Sequence, residues 1–206
     1  RSVWVQYDGR PMLQVFAPLS RDAEGNYLIR NTDTWKEFAT GISNGTIEPT
    51  ANAHMTADID LGDDQTMIGT SSIPYQGTFD GQGHKLTINL TRNEDGVAPF
   101  RYVCGATIKR LHVDGSVNAE GKRCSAGIVG YAIGNETTTI SECWSSAKLK
   151  GDDTMGGICA VIQDGTMNIN DCLVDGTISG SNAYNGGFIS HPDNTATVNI
   201  NNGLFL

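Results

Sequence analysis

The sequence lacks a hydrophobic run long enough to cross a membrane, and it has little positive charge. No stretch of about 18 consecutive apolar residues occurs in the chain, so we expect no membrane span. Lys and Arg number 14 against 23 Asp and Glu, and the formal net charge is -9. Because a polyanion would be repelled, the composition argues against nonspecific nucleic-acid binding.

Motifs that bind metal ions are also missing. The five cysteines include no CxxC pair, which argues against a structural zinc site. Neither EF-hand spacing nor a GGxGxD nonapeptide is present. The carboxylates of Asp58, Asp60, Asp63 and Asp64 offer oxygen ligands to Ca²⁺, but they lie along a strand and in a turn, which favours a solvated acidic edge. We therefore predict no metal site and no cofactor.

Turn-forming residues are abundant instead. The chain of 206 residues has 25 glycines, and only 38% of its residues are hydrophobic. This composition is typical of a β-rich protein with many turns and does not suit a helical bundle.

A β-hairpin is expected at the start, because apolar and polar residues alternate in Val3–Tyr7 and Met12–Phe16, on either side of an Asp8-Gly9 turn signal. We assign residues 1–26 to a hairpin and linker from a preceding region.

One amphipathic helix is predicted, at about residues 34–43. Thr34 and Glu37 have capping-box spacing, and apolar residues recur with helical period from Trp35 to Ile42. Glycines between Gly41 and Gly45 should end the helix.

A repeat of about 30 residues runs through the second half of the chain, from about residue 97 to 206. One set of landmarks comprises Ile128, Ile158 and Phe188, and a second comprises Ile108, Ile140, Ile169 and Ile200. Each repeat holds short alternating segments separated by turns, and such segments gain stability only by stacking on their equivalents in the next repeat. The period therefore predicts a parallel β-helix over residues 27–206, with the helix as its N-terminal cap; a β-sandwich would not explain the fixed register.

Several segments in order resemble bacterial surface proteins that carry GLUG-type repeats. These segments are NAHMTADIDL (52–61), GTFDGQGHKLTINL (77–90), AGIVGYAIGNETTTISECWSSAKLKG (126–151) and GGICAVIQDGTMNINDCLVDGTISG (156–180). The resemblance covers roughly residues 27–206. It implies a right-handed parallel β-helix that is secreted or held on the surface of a Gram-negative bacterium, often beside adhesin-like or protease domains. It implies no catalytic residue set.

The segment GTFDGQGH is open to two interpretations. Asp80 and His84 have the residue types of an acid–base pair, as in polysaccharide-cleaving β-helix enzymes. Alternatively, Asp80 to Gly83 form a tight turn whose glycines supply positive φ, and Leu86, Ile88 and Leu90 enter the core. We favour the turn, and we predict no catalytic residues.

Cysteine and aromatic residues are the remaining candidates for function. Cys143 and Cys172 occupy equivalent repeat positions and should stack in the core, where a disulfide is compatible but not required. Trp144, Tyr131 and Tyr184 are the predicted ligand-binding residues. Trp144 alternates with Cys143 and should face outward, where it can stack on a sugar ring or contact a neighbouring domain.

These observations favour a noncatalytic β-helix module for adhesion or display, with glycans or host and matrix proteins as partners. The acidic surface would prefer neutral or basic glycans to uronates. A polysaccharide lyase or glycoside hydrolase is one alternative, and a structural spacer beside a catalytic domain is another. Because the chain starts at Arg1 and stops abruptly at Leu206, we expect further domains of the same polypeptide; the secreted or surface location rests on the resemblance.

Overall fold

The chain forms a parallel β-solenoid of about six turns with a single short helix near its beginning. The computed structural model describes residues 4–13, 17–180 and 184–206. The prediction of an all-β fold built on a parallel β-helix is confirmed. No helix in these ranges is both long enough and apolar enough to span a bilayer.

The predicted N-terminal hairpin is present. Strands β1 (Trp4–Tyr7) and β2 (Arg10–Leu13) pair antiparallel, and Asp8 and Gly9 between them have φ values of 50° and 69°. Positive φ at both central residues suits a two-residue hairpin turn. Val3 and residues 14–16 of the predicted strands lie outside the described residues.

The first turns of the solenoid contain β3 (Tyr27–Ile29), α1 (Thr32–Asn44), β4 (Ala53–Met55), β5 (Ile59–Asp60), β6 (Thr78–Thr91) and β7 (Phe100–Val103). The middle turns contain β8 (Thr107–Arg123), β9 (Val129–Ala132), β10 (Thr137–Ser141), β11 (Trp144–Ser145), β12 (Lys148–Asp153), β13 (Met155–Gly156) and β14 (Cys159–Ile162). The last turns contain β15 (Thr166–Asn170), β16 (Leu173–Val174), β17 (Ile178–Gly180), β18 (Asn185–Gly186), β19 (Ile189–Pro192), β20 (Thr197–Asn201) and β21 (Leu204–Phe205).

Equivalent residues of successive turns stack in columns, as the repeat predicts. One inward column runs the length of the solenoid and consists of Tyr27, Ala53, Phe79, Ile108, Ile140, Ile169 and Ile200. The Ile108 to Ile200 part of this column is the predicted register. The column begins at Tyr27, before the repeat that is visible in the sequence. Successive members of this early part, Tyr27, Ala53 and Phe79, are 26 residues apart, so an alignment with a 30-residue period does not include them. Each column buries apolar surface between turns, which is the main source of solenoid stability.

The helix is longer than predicted and its cap is a different residue. Asn31 is the N-cap, and its side chain accepts a hydrogen bond from the backbone N–H of Thr34 (2.8 Å). The Thr34 hydroxyl in turn accepts from the Asn31 N–H, so the capping box joins Asn31 to Thr34, and the predicted Thr34–Glu37 box is wrong. Gly45 ends the helix with a φ of 77°, as predicted.

The apolar face of α1 lies over the core. Trp35 is fully buried and makes edge-to-face contacts with Phe79 and Phe100, at ring-centroid distances of 5.9 Å and 6.0 Å. Phe38 packs edge to face against Tyr75 and at a tilt of 55° against Tyr27, at ring-centroid distances of 6.0 Å and 5.4 Å. The helix therefore covers the N-terminal end of the solenoid interior with aromatic rings, as expected of a cap.

Candidate functional site

The structure separates the three predicted ligand-binding residues. Tyr131 lies on β9 and Tyr184 just before β18, and both line one cleft with a volume of about 370 Å³. Trp144 lies on β11, which belongs to a different sheet. We call the first site the Tyr131 cleft; it is lined by Asp95, Arg123, Cys124, Tyr131, Thr154, Val161, Gln163, Tyr184, His191 and Asp193.

One wall of the Tyr131 cleft belongs to a column of side chains from successive turns, of which Tyr131, Val161 and His191 line the cleft. Tyr102, Tyr131, Val161 and His191 are register partners on β7, β9, β14 and β19. The rings of Tyr102 and Tyr131 stack with centroids 4.8 Å apart and planes 6° apart. This distance is the spacing of strands in a sheet, so the ladder itself holds the two rings in place. Tyr131 is therefore a half-buried, rigidly held aromatic wall.

The phenol of Tyr131 and the thiol of Cys124 form a hydrogen bond within the lining of the cleft. Burial raises the pKa of Cys124, and the hydrogen bond with Tyr131 only partly offsets this effect. Burial likewise raises the pKa of Tyr131, and the hydrogen bond with Cys124 raises this pKa further. Both groups are therefore uncharged at neutral pH, and the cleft offers hydroxyl, thiol and amide groups beside its aromatic wall.

Charged groups line the rim of the cleft. The Arg123 guanidinium binds Asp153 (Nε to Oδ1, 2.7 Å), and the Arg123 N–H donates to Asp95 (2.9 Å). His191 Nε2 lies 3.2 Å from Asp193 Oδ1. Since Asp153 offsets the charge of Arg123, the carboxylates of Asp95 and Asp193 leave the rim negative.

Tyr184 forms the exposed side of the cleft. Its side chain is 57% exposed, and its ring meets His191 edge to face at 6.0 Å. The Ser190 hydroxyl donates to the Tyr184 carbonyl (2.8 Å) and anchors the backbone there. Tyr184 thus presents a ring face to solvent next to the polar groups of the rim.

Trp144 faces outward as predicted, but one face of its indole is already covered. The ring stacks on His112 with centroids 3.8 Å apart and planes 2° apart, and Nε1 donates to Asp175 (2.6 Å). His112 and Ser146 share a hydrogen bond of 2.8 Å, while Ser146 donates to Asp114 (3.0 Å). In a nucleophilic triad the carboxylate would hold the imidazole, whereas here it contacts the hydroxyl.

Asp80 and His84 do not contact one another as an acid–base pair would. The Asp80 carboxylate forms a two-pronged ion pair with Arg110 on the next turn, and Oδ1 also accepts from the Gln82 N–H (2.9 Å). His84 Nδ1 lies 2.8 Å from Asp58 Oδ1. Each group is held by another partner, as expected of structural residues.

The corner between Asp80 and His84 differs in detail from the predicted turn. It is a register shift within β6, with positive φ at Gln82 (54°) and Gly83 (76°). Gly81 does not have positive φ; a Cβ there would collide with the backbone carbonyl of Arg110 on the next turn. Leu86, Ile88 and Leu90 beyond the corner are fully buried, as predicted.

The other candidate groups form local contacts. Asp60 accepts from the Gly62 N–H (2.9 Å), Asp64 contacts Thr66, and the described part of the chain contains no cluster of three or more metal-ligating side chains. All five cysteines are free thiols. Cys143 and Cys172 stack on adjacent turns as predicted, and their thiols donate to backbone carbonyls of Ser141 and Asn170 (both 3.2 Å).

Most residues of the Tyr131 cleft escaped the sequence-based prediction. Arg123, Asp95 and Asp193 come from separate turns, and nothing in their local sequence links them. One usable signal existed, because Tyr131, Val161 and His191 are spaced by 30 residues and therefore share a column.

No family model, curated protein or solved structure matches this chain. The resemblance to GLUG-repeat proteins, including bacterial origin, therefore stays a prediction.

Proposed function

We propose that this chain is a noncatalytic binding module that holds a glycan in the Tyr131 cleft. The observation that carries the proposal is the cleft itself, where the rigidly held ring of Tyr131, the exposed ring of Tyr184 and uncharged hydrogen-bonding groups from different turns converge. Its volume of about 370 Å³ falls within the usual range of small-molecule sites. Tyr131, Val161 and His191 of the lining are held on neighbouring strands, so little conformational entropy is lost at this wall when a ligand binds.

The lining of the cleft favours saccharides over purely apolar ligands. Tyrosine rings can pack on the C–H face of a pyranose, while the Gln163 amide and the Tyr131 hydroxyl can bond ring hydroxyls. The negative rim disfavours uronates and sulfated sugars, since both are anionic. Neutral sugars and amino sugars are therefore the proposed ligands.

A surface role fits this proposal. The resemblance to GLUG-repeat proteins implies a secreted or cell-surface protein of a bacterium, and a stiff solenoid suits the display of weak sites for multivalent attachment. Adhesion to host, matrix or glycan ligands is the proposed task.

Binding to a glycan panel tests the proposal. We expect wild-type protein to bind a neutral or amine-bearing saccharide and to ignore uronates. Replacing the exposed ring, Tyr184→Ala, should weaken binding by about two- to twelvefold, because one aromatic contact contributes roughly 0.5–1.5 kcal/mol. Trp144→Ala is the matched control, since it removes an exposed aromatic from a different sheet. Isothermal titration calorimetry on the hits measures both.

Three results would count against the cleft as a glycan-binding site. Loss of binding in Trp144→Ala but not in Tyr184→Ala would move the site to the His112–Trp144 pair. Release of new reducing ends or unsaturated products from polysaccharides, abolished by Asp80→Ala with the fold intact, would favour the enzyme alternative. A chain that binds nothing on the panel would favour the structural spacer.

A further inference from the structure

The Tyr131 cleft runs along the solenoid axis. Its lining comes from four successive turns: Asp95 from the first; Arg123, Cys124 and Tyr131 from the second; Thr154, Val161 and Gln163 from the third; and Tyr184, His191 and Asp193 from the fourth. Neighbouring turns lie about 4.8 Å apart, so the three spacings between these turns give the cleft a length of about 14 Å. The cleft is therefore elongated in the direction in which the turns repeat.

Two rows of side chains meet along the cleft, and each row has one member per turn. The first row lies on β9, β14 and β19 and consists of Tyr131, Val161 and His191. The second row lies at strand ends of the same turns and consists of Cys124, Thr154 and Tyr184. The rows touch at both of their ends, since Tyr131 shares a hydrogen bond with Cys124 and the His191 ring meets the Tyr184 ring edge to face. The lining therefore repeats from turn to turn.

This repeat suits a ligand that is itself a chain. In an extended 1,4-linked saccharide, one hexose unit advances by nearly the distance of about 4.8 Å that separates neighbouring turns. Successive rings of such a chain would therefore meet equivalent positions of the cleft. The second, third and fourth turns of the lining each supply a hydrogen-bonding side chain for the ring substituents, namely Tyr131, Gln163 and His191. A branched or compact saccharide would leave part of this row unused.

The charges along the cleft select the substituents of the chain. Asp95 lies on the first of the four turns and Asp193 on the fourth, and both residues are exposed. Among the described residues, neither carboxylate forms an ion pair with a lysine or an arginine, and Asp193 lies beside His191. The guanidinium of Arg123 is already bound to Asp153. The cleft therefore attracts a cationic group near each end.

We propose that the Tyr131 cleft binds a linear, amine-bearing oligosaccharide that lies along the solenoid axis, with about one sugar ring per turn and ammonium groups beside Asp95 and Asp193. This inference rests on the proposed function, because it names the ligand class of the same cleft. A β-1,4-linked glucosamine chain has the required chemistry, since every ring carries one primary amine. Contacts that are weak at one ring then add along the chain.

Isothermal titration calorimetry with β-1,4-linked glucosamine oligomers tests the axial arrangement, in a buffer that keeps the sugar amines protonated. We expect the affinity to rise by at least about tenfold from the monosaccharide to the trisaccharide, because each added ring meets a further turn of the cleft. The fully N-acetylated trisaccharide has the same backbone without the charges. It should therefore bind more weakly than the glucosamine trisaccharide, by at least about twofold.

Two carboxylate variants test where the amines lie. Asp95→Asn and Asp193→Asn each remove one charge from an exposed side chain and keep an oxygen acceptor, so circular dichroism should show an unchanged fold. Each variant should weaken binding of the glucosamine trisaccharide by about two- to fivefold, the range of an exposed ion pair, and leave binding of the N-acetylated trisaccharide unchanged. Asp63→Asn is the matched control, since it removes the same charge from an exposed turn outside the cleft.

Equal affinity for the monosaccharide and the trisaccharide would overturn the axial arrangement. If Tyr184→Ala still weakened binding in that case, the cleft would remain a glycan site and only the ligand class proposed for it would fail. Loss of the Tyr184→Ala effect would count against the proposed function itself. Carboxylate variants that behave like Asp63→Asn, or an N-acetylated chain that binds as tightly as glucosamine, would overturn the pairing of amines with Asp95 and Asp193.

Discussion

At the scale of single residues, Asp80 joins neighbouring turns. The motif that contains it has the residue types of an acid–base site, yet its carboxylate is buried against Arg110 and the Gln82 N–H. Burial alone would raise the pKa of Asp80, but these hydrogen bonds and the charges of Arg110 and Lys109 outweigh burial and lower it. The carboxylate therefore stabilises the fold in its ionised form.

This role predicts a pH dependence of stability. Because the pKa of Asp80 is lower in the folded state than the usual value near 3.9, its contribution is complete above about pH 4 and is lost as the pH falls through the folded pKa. We expect Asp80→Asn to lower the free energy of unfolding at pH 7 by about 1–2 kcal/mol, reduced by the partial exposure of Arg110.

Urea denaturation of wild type and Asp80→Asn between pH 3 and pH 7 measures this difference. The difference in stability between the two proteins should shrink as the pH falls below about 4. Asp63→Asn, an exposed carboxylate in a turn, is the control and should change little. A constant difference at every pH would contradict the role of the ionised carboxylate.

At the scale of elements, α1 is the part whose packing matters most for the solenoid. Its amphipathic pattern predicts a helix, but only the structure shows that Trp35 sits between Phe79 and Phe100 and that its Nε1 donates to the Thr66 carbonyl (3.2 Å). One side chain thus touches three further segments of the first turns. The cap is an integral part of the core.

Removing this ring should destabilise the protein strongly. We expect Trp35→Ala to lower the free energy of unfolding by about 3–5 kcal/mol, because a large buried side chain is replaced by a cavity. Lys36→Ala, on the exposed side of the same helix, should cost less than about 1 kcal/mol. Chemical denaturation followed by circular dichroism compares the two; similar losses would show that α1 is not packed as a cap.

At the scale of the whole molecule, stability should vary along the solenoid axis. Each turn is supported by its neighbours, and the last turn has a neighbour on one side only. The first turns, in contrast, are covered by α1. A gradient of local stability from the capped end to the open end follows from this asymmetry.

Hydrogen exchange measured on dilute, monomeric protein checks this gradient. Backbone amides of β20 and β21 should exchange at least about tenfold faster than those of β10 and β8, because the last turn can open without breaking the core. Uniform protection from the first turns to the last would contradict this expectation.

The sequence by itself determined the solenoid and the direction of its core residues. Few folds are compatible with both a period near 30 residues and an alternation of apolar and polar residues. The column from Ile108 to Ile200 follows directly from this period. The earlier part of the column was hidden because its spacing is 26 residues. The N-cap was misassigned because Asn31 lies just outside the apolar pattern.

Only the tertiary structure decided which polar side chains meet. Arg110 within β8, and Cys124 and Thr154 between strands, adopt positive φ at corners of the solenoid, which turns their neighbours in directions that alternation cannot predict. These corners place Arg110 against Asp80 and bring Arg123 to the rim of the Tyr131 cleft. The alternation of apolar and polar residues specifies which side chains face the core and which face solvent. The side chains of a cleft must also converge around a corner of the solenoid, and this convergence depends on how each turn stacks on the next.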